Sequence, residues 1–129
     1  MYKLITQSHR LITSKSNISR LMSSSTTIKP PVVTLKHLLF YEYVDDILEK
    51  RNQYRAEHFA LALEAVDKGI IEQAGAYQNP TDGATFLFNN CQSSDIEAFV
   101  QSDPYYKNGL VTKYSIKEWT VVVAAEGKR

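Results

Sequence analysis

The chain has 129 residues, 43% of them apolar and 22% charged, which suits one compact domain and excludes a cofactor domain joined to a separate substrate domain. No apolar run approaches the roughly 18 residues that cross a bilayer, so membrane insertion is not expected. The formal net charge of +1 hides two different segments. No Asp or Glu precedes Glu42, and residues 1–31 carry Lys3, Arg10, Lys15, Arg20 and Lys29, which leaves ten basic against fourteen acidic residues, a net of −4, in the remainder.

Residues 1–31 also hold seven serines and four threonines and end at Lys29-Pro30-Pro31. This is the composition of a targeting segment rather than of a folded layer. Leu4, Leu11, Ile18 and Met22 recur at helical offsets and predict a basic amphipathic helix. Its apolar face suits a receptor groove, and its charge suits transport toward a negative interior. The mitochondrial matrix is the expected destination. A plastid signal shares the composition, and a plain Ser/Thr-rich tail on a cytoplasmic protein is the alternative. A secretory signal is not expected, because it needs an apolar stretch of about 7 to 15 residues, whereas the longest apolar run here is two residues. The expected division is therefore a targeting segment over 1–31 and a folded domain over 32–129.

Leu35–Tyr43 is rich in Leu and aromatic residues and predicts a first strand. After the charged stretch 45–55, Phe59, Ala62, Leu63, Val66 and Ile70 form an apolar helical stripe over 55–68, stopped by Gly69. Residues 70–77 and 84–89 predict a hairpin around the Asn-Pro and Asp-Gly turn signals of 78–83. Ser93-Ser94-Asp95 supplies N-cap candidates for a second helix running to about Ser102, which Asp103-Pro104 ends. A turn over 105–109 then leads to a closing strand over 111–124. The order is β-α-β-β-α-β, the ferredoxin-like α+β arrangement, with a four-stranded antiparallel sheet and two helices on one face. Two helices leave the other sheet face bare, which predicts a homodimer.

The single Cys91 cannot form an internal disulfide, and a passive thiol is the expected state. Three histidines without metal-ligand spacing give no expectation of a metal site. His9 falls in the targeting segment, and His37, on the first strand, reads as structural.

His58 is the first candidate for chemistry, because an imidazole titrates near neutral pH, and Arg55 precedes it by three residues on the same helix. With Phe59 at the centre of the buried stripe, about 100° per residue places His58 at the boundary between core and solvent. It reads there either as a cleft-lining base or as an ordinary half-exposed histidine. Asp103-Pro104-Tyr105-Tyr106 is the second candidate: a carboxylate so fixed can orient an imidazole, but Asp before Pro is also a routine turn element.

Together, Arg55-x-x-His58, Gly69, Gly75, Gly83, Asp103-Pro104-Tyr105, Gly109 and Trp119 resemble the YCII-related (YciI-like) family over about residues 35–123. Ala76 and Glu118 stand where that family often has Pro. The resemblance implies a dimeric α+β barrel in which His58 and Asp103 form a dyad, while Arg55 and Tyr105 line a cleft for an anionic or phenolic ligand. It also implies lyase-, isomerase- or dehydrochlorinase-like activity on small aromatic or lactone compounds. The expected function is thus a small cofactor-free enzyme with acid-base chemistry on a cyclic or phenolic substrate. The alternative is a non-catalytic dimeric module that binds a small ligand or a protein. Nucleic acid is not an expected partner, because the domain is acidic and lacks a basic-aromatic run.

Overall fold

The computed structural model describes residues 33–125 and 127. The chain divides between Pro31 and Val32, and everything described belongs to the second unit. The amphipathic helix expected in residues 1–31 lies outside the described residues.

Strand β1, Thr34–Tyr43, alternates Leu39, Tyr41 and Tyr43 inward against Leu38, Phe40 and Glu42 on the opposite face, the period-2 pattern of a strand. A short helix α1 (Ile47–Lys50) and a 3-10 turn (Arg51–Gln53) follow in the charged stretch. Next comes helix α2, Arg55–Asp67. Gly69 ends it at φ +75, with the Gly69 N–H donating to Val66 C=O and the Ile70 N–H to Ala65 C=O. Those two bonds close a Schellman motif, whose left-handed residue favours glycine.

Strands β2 (Ile71–Ala76) and β3 (Gly83–Phe88) form the expected hairpin, each within a residue or so of its predicted ends. Helix α3, Ser93–Ser102, starts one residue earlier than its predicted caps suggest, with Gln92 at the N-cap and the Gln92 N–H donating to Asp95 Oδ2 at 2.8 Å. Its Ile96, Phe99 and Val100 are buried. Residues 105–109 are not a plain turn: Pro104–Lys107 form a helical turn, α4, with Pro at its first position and Asp103 as its cap. Strand β4, Val111–Val121, closes the fold and ends three residues short of its predicted limit.

The sheet order is β2-β3-β1-β4, all antiparallel, so the expected α+β ferredoxin-like architecture is present. The core lies on the helix side, where Tyr41, Phe86, Phe88 and Phe99 pack edge to face with ring centroids 5.0–5.6 Å apart. Each such ring taken out of water contributes about 1.5–3 kcal/mol. Leu38, Phe40 and Leu87 face the other way and stay outside this core cluster.

One expectation about α2 is corrected. Phe59, Leu63 and Val66 are 46%, 61% and 42% exposed, whereas His58 is only 6% exposed. The helix is turned by about one residue, or 100°, from the predicted orientation, so that His58, Leu61, Ala62 and Ala65 meet the rest of the domain. Sequence periodicity gave the width of the apolar face but not which edge the sheet covers. The uncovered edge forms the wall of a cavity.

Candidate active site

Asp103 is the fixed point of the site. Because it precedes Pro104, its backbone is extended (φ −74, ψ 121), and its side chain caps α4, accepting the Tyr105 N–H on Oδ1 at 3.0 Å. The same Oδ1 lies 2.8 Å from His58 Nδ1, and Oδ2 accepts the Tyr41 hydroxyl at 2.8 Å. The residue is fully buried. Three groups converging on two oxygens is the contact pattern of a carboxylate, which only accepts, so Nδ1 is the donor in the pair with His58.

His58 is held on a second side. The ring of Tyr105 stacks on the imidazole with a centroid distance of 3.8 Å and an interplanar angle of 3°. Among the described residues Nε2 has no hydrogen-bond partner. The imidazole is thus held at Nδ1 by Asp103 and on its face by Tyr105. Burial, followed by the charge of Asp103 and the bond to it, raises the Tyr41 hydroxyl far above its ordinary value. Burial likewise raises Tyr43 and Tyr105, with the guanidiniums of Arg51 and Arg55 pulling both down.

His58 lines a cavity of about 630 Å³ between α2 and β2, a volume ordinary for a small-molecule site. The cavity follows α2 from Arg55 to Val66, about 16 Å along the helix axis. Tyr43, Arg51, Arg55 and Tyr105 line it with His58, and Phe59, Leu63 and Val66 supply an apolar wall opposite Ala74 and Ala76. The Arg55 guanidinium sits 4.8 Å from the Phe59 ring centroid. Among the described residues there is no grouping of three or more His, Cys, Asp or Glu side chains that could hold a metal ion.

The model of the YCII-related domain matches residues 35–120. This chain belongs to the YCII-related family. Among solved structures, 5-chloro-2-hydroxyhydroquinone dehydrochlorinase from Burkholderia phenoliruptrix, in complex with 2,5-dihydroxybenzoquinone, is 20% identical and superposes with a TM-score of 0.57, covering 65% of this chain and 92% of its own. A NIPSNAP family protein from Agrobacterium tumefaciens is 8% identical (TM-score 0.48, 76% and 100% covered). A NIPSNAP domain protein from Burkholderia xenovorans is 11% identical (TM-score 0.41, 74% and 99% covered). No curated protein matches the sequence significantly.

All four residues singled out in this YCII-related domain, His58, Asp103, Arg55 and Tyr105, meet at one place. His58 and Asp103 are in direct contact, and Arg55 and Tyr105 line the cavity with His58. His37 is buried, and Cys91 is a half-buried free thiol whose pKa is raised by burial and by Asp95, which disfavours the thiolate. Tyr43, Tyr41 and Arg51 were missed. Tyr41 was visible only as a tyrosine on the inward phase of a strand, where a buried hydroxyl demands a partner. Arg51 lay in a charged stretch with no predicted structure, and nothing in its spacing pointed to a cavity.

Proposed function

We propose that the cavity is the active site of a small cofactor-free enzyme that performs acid-base chemistry, of lyase or isomerase type, on a small cyclic or phenolic compound. The observation that carries this reading is the arrangement around Asp103: a buried carboxylate holds His58 by Nδ1, and His58 lines the cavity. Nε2 accepts a proton from an acidic C–H or O–H of the substrate, and the imidazolium, stabilised by Asp103, returns it to another atom of the same molecule or to a departing group. Such transfer contributes about 10² to 10⁴ in rate and needs no metal. Arg55 binds a carboxylate of the substrate or the oxygen that gains charge, and Tyr105 keeps the imidazole in plane. The family, and a structural neighbour that is a dehydrochlorinase solved with a dihydroxybenzoquinone, support this class of substrate.

The test is turnover by the pure protein of a panel of hydroquinones, chlorinated phenols and lactones, repeated with His58→Gln. A loss of about 10² to 10⁴ in kcat supports the assignment, and unchanged turnover of a good substrate refutes it. A second reading, a ligand-binding module without turnover, is favoured by how little of the imidazole is exposed beneath Tyr105. Saturable binding with no turnover across the panel would select it.

The assembly proposed with this site is a homodimer built sheet to sheet. Leu38, Phe40 and Leu87 on the face away from the core, with Trp119 at 44% exposure in register with Lys36, form an apolar surface that a second copy covers by two-fold symmetry.

A further inference from the structure

The cavity holds two guanidinium groups, Arg51 from the 3-10 turn and Arg55 from the first turn of α2. No carboxylate among the described residues lies within salt-bridge distance of either. Arg51 Nε is buried with no hydrogen-bond partner. Glu72, the acidic residue that lines the same cavity, is already paired with the buried Lys36. Two half-buried cations without counter-charge are costly to keep side by side, and a buried donor without an acceptor adds to that cost. A ligand that supplies the missing charge and acceptors would offset both costs.

What lies beyond the arginines narrows the ligand further. From Phe59 to Val66 the helix wall is apolar, and the β2 side contributes Ile71, Ala74 and Ala76, with Gln73 and Gln78 as polar members. One end of the cavity thus calls for an anion with paired acceptor oxygens, and the α2 wall for a hydrocarbon face on the ligand. Guanidinium forks match carboxylate oxygens two by two.

We infer that Arg51 and Arg55 form a carboxylate seat and that the ligand of this cavity is a carboxylic acid with an apolar, ring-bearing body lying along Phe59, Leu63 and Val66. The inference rests on the cavity being the ligand site proposed above, and it narrows the substrate from phenols in general to acids. Arg51 acts in it as a specificity-determining residue that touches the ligand, not the reacting proton.

The experiment is calorimetric titration of the full chain with 3-phenylpropionate and with its neutral isostere 3-phenylpropionamide, using the wild type, Arg51→Gln and Arg51→Lys. The wild type is expected to bind the acid at least about tenfold more tightly than the amide. Arg51→Gln should lose about 10- to 100-fold on the acid and leave the amide within about threefold. Arg51→Lys should retain part of the preference. Equal binding of acid and amide by the wild type overturns the inference, and that comparison needs no variant to fold. So does an unchanged preference in Arg51→Gln, or no binding of either compound up to about 10 mM. The two readings fail separately. Turnover of neutral phenols without acid preference removes the carboxylate seat and keeps the enzyme, whereas Arg51-dependent acid binding without any turnover keeps the seat and removes the enzyme.

Discussion

Removing the Asp103 carboxylate is the sharpest test of the site, because the cost follows from counted partners. Asp103→Ala strands the Tyr41 hydroxyl, the Tyr105 N–H and His58 Nδ1, all in buried residues. Each stranded buried donor costs about 1–3 kcal/mol, so the three together come to about 3–9 kcal/mol. Against a typical total stability of about 5–15 kcal/mol, that leaves a domain near unfolding. Asp103→Asn behaves differently. The Tyr105 N–H can only donate, so it keeps a carbonyl oxygen at the Oδ1 position, still accepting from His58 Nδ1, and turns the amide NH₂ toward Tyr41, whose oxygen can accept. Only the charge assistance is lost, about 1–2 kcal/mol. Thermal unfolding at one fixed protein concentration measures both. With about 4–8 °C per kcal/mol for a domain of this size, Asp103→Ala should fall by more than about 12 °C and well below Asp103→Asn. An alanine variant melting within about 3 °C of wild type, or level with the asparagine variant, would refute the reasoning.

Tyr41→Phe should change the alkaline limb of stability. The folded-state pKa of Tyr41 is raised above its ordinary 10.0, so its contribution is complete below about pH 10 and is lost as pH rises beyond it, by about 1.4 kcal/mol per pH unit. Urea unfolding at pH 9 and about pH 10.5 should show a smaller loss in the variant than in wild type, and parallel losses would contradict the burial argument. Gly83→Ala should destabilise by about 1–3 kcal/mol, because the added Cβ would collide with the Tyr41 carbonyl oxygen across the β1–β3 ladder; a variant within experimental error of wild type would show that the ladder can yield there. Phe40→Asp, on the sheet face away from the core, should convert a dimer to a monomer in sedimentation velocity, and a wild type that sediments as a monomer at micromolar concentration would rule out the proposed assembly. Residues 1–35 fused to a fluorescent reporter should direct it to mitochondria, and a diffuse cytosolic signal would remove the targeting proposal.

Sequence alone determined what depends on neighbours along the chain. Gly69 as a helix stop, Asp103-Pro104 as a break, the hairpin signals of 78–83 and the alternation in 34–43 each act through local backbone sterics or a two- or four-residue period, and together they set the order of elements and the α+β class. The contact of His58 with Asp103, 45 residues apart, was implied only by the resemblance to the YCII-related family. What tertiary structure alone decided was orientation. An apolar stripe on a helix satisfies the same periodicity whether its centre or its edge meets the sheet, and the turn of about 100° in α2 buried His58 and left Phe59, Leu63 and Val66 as a cavity wall. Tyr41 and Arg51 became part of the site for the same reason. A hydroxyl seeks its partner across 62 residues, and a guanidinium its cavity, only once the packed elements fix the distances, because hydrogen bonds and charges act through space over a few ångströms and leave no period in the sequence.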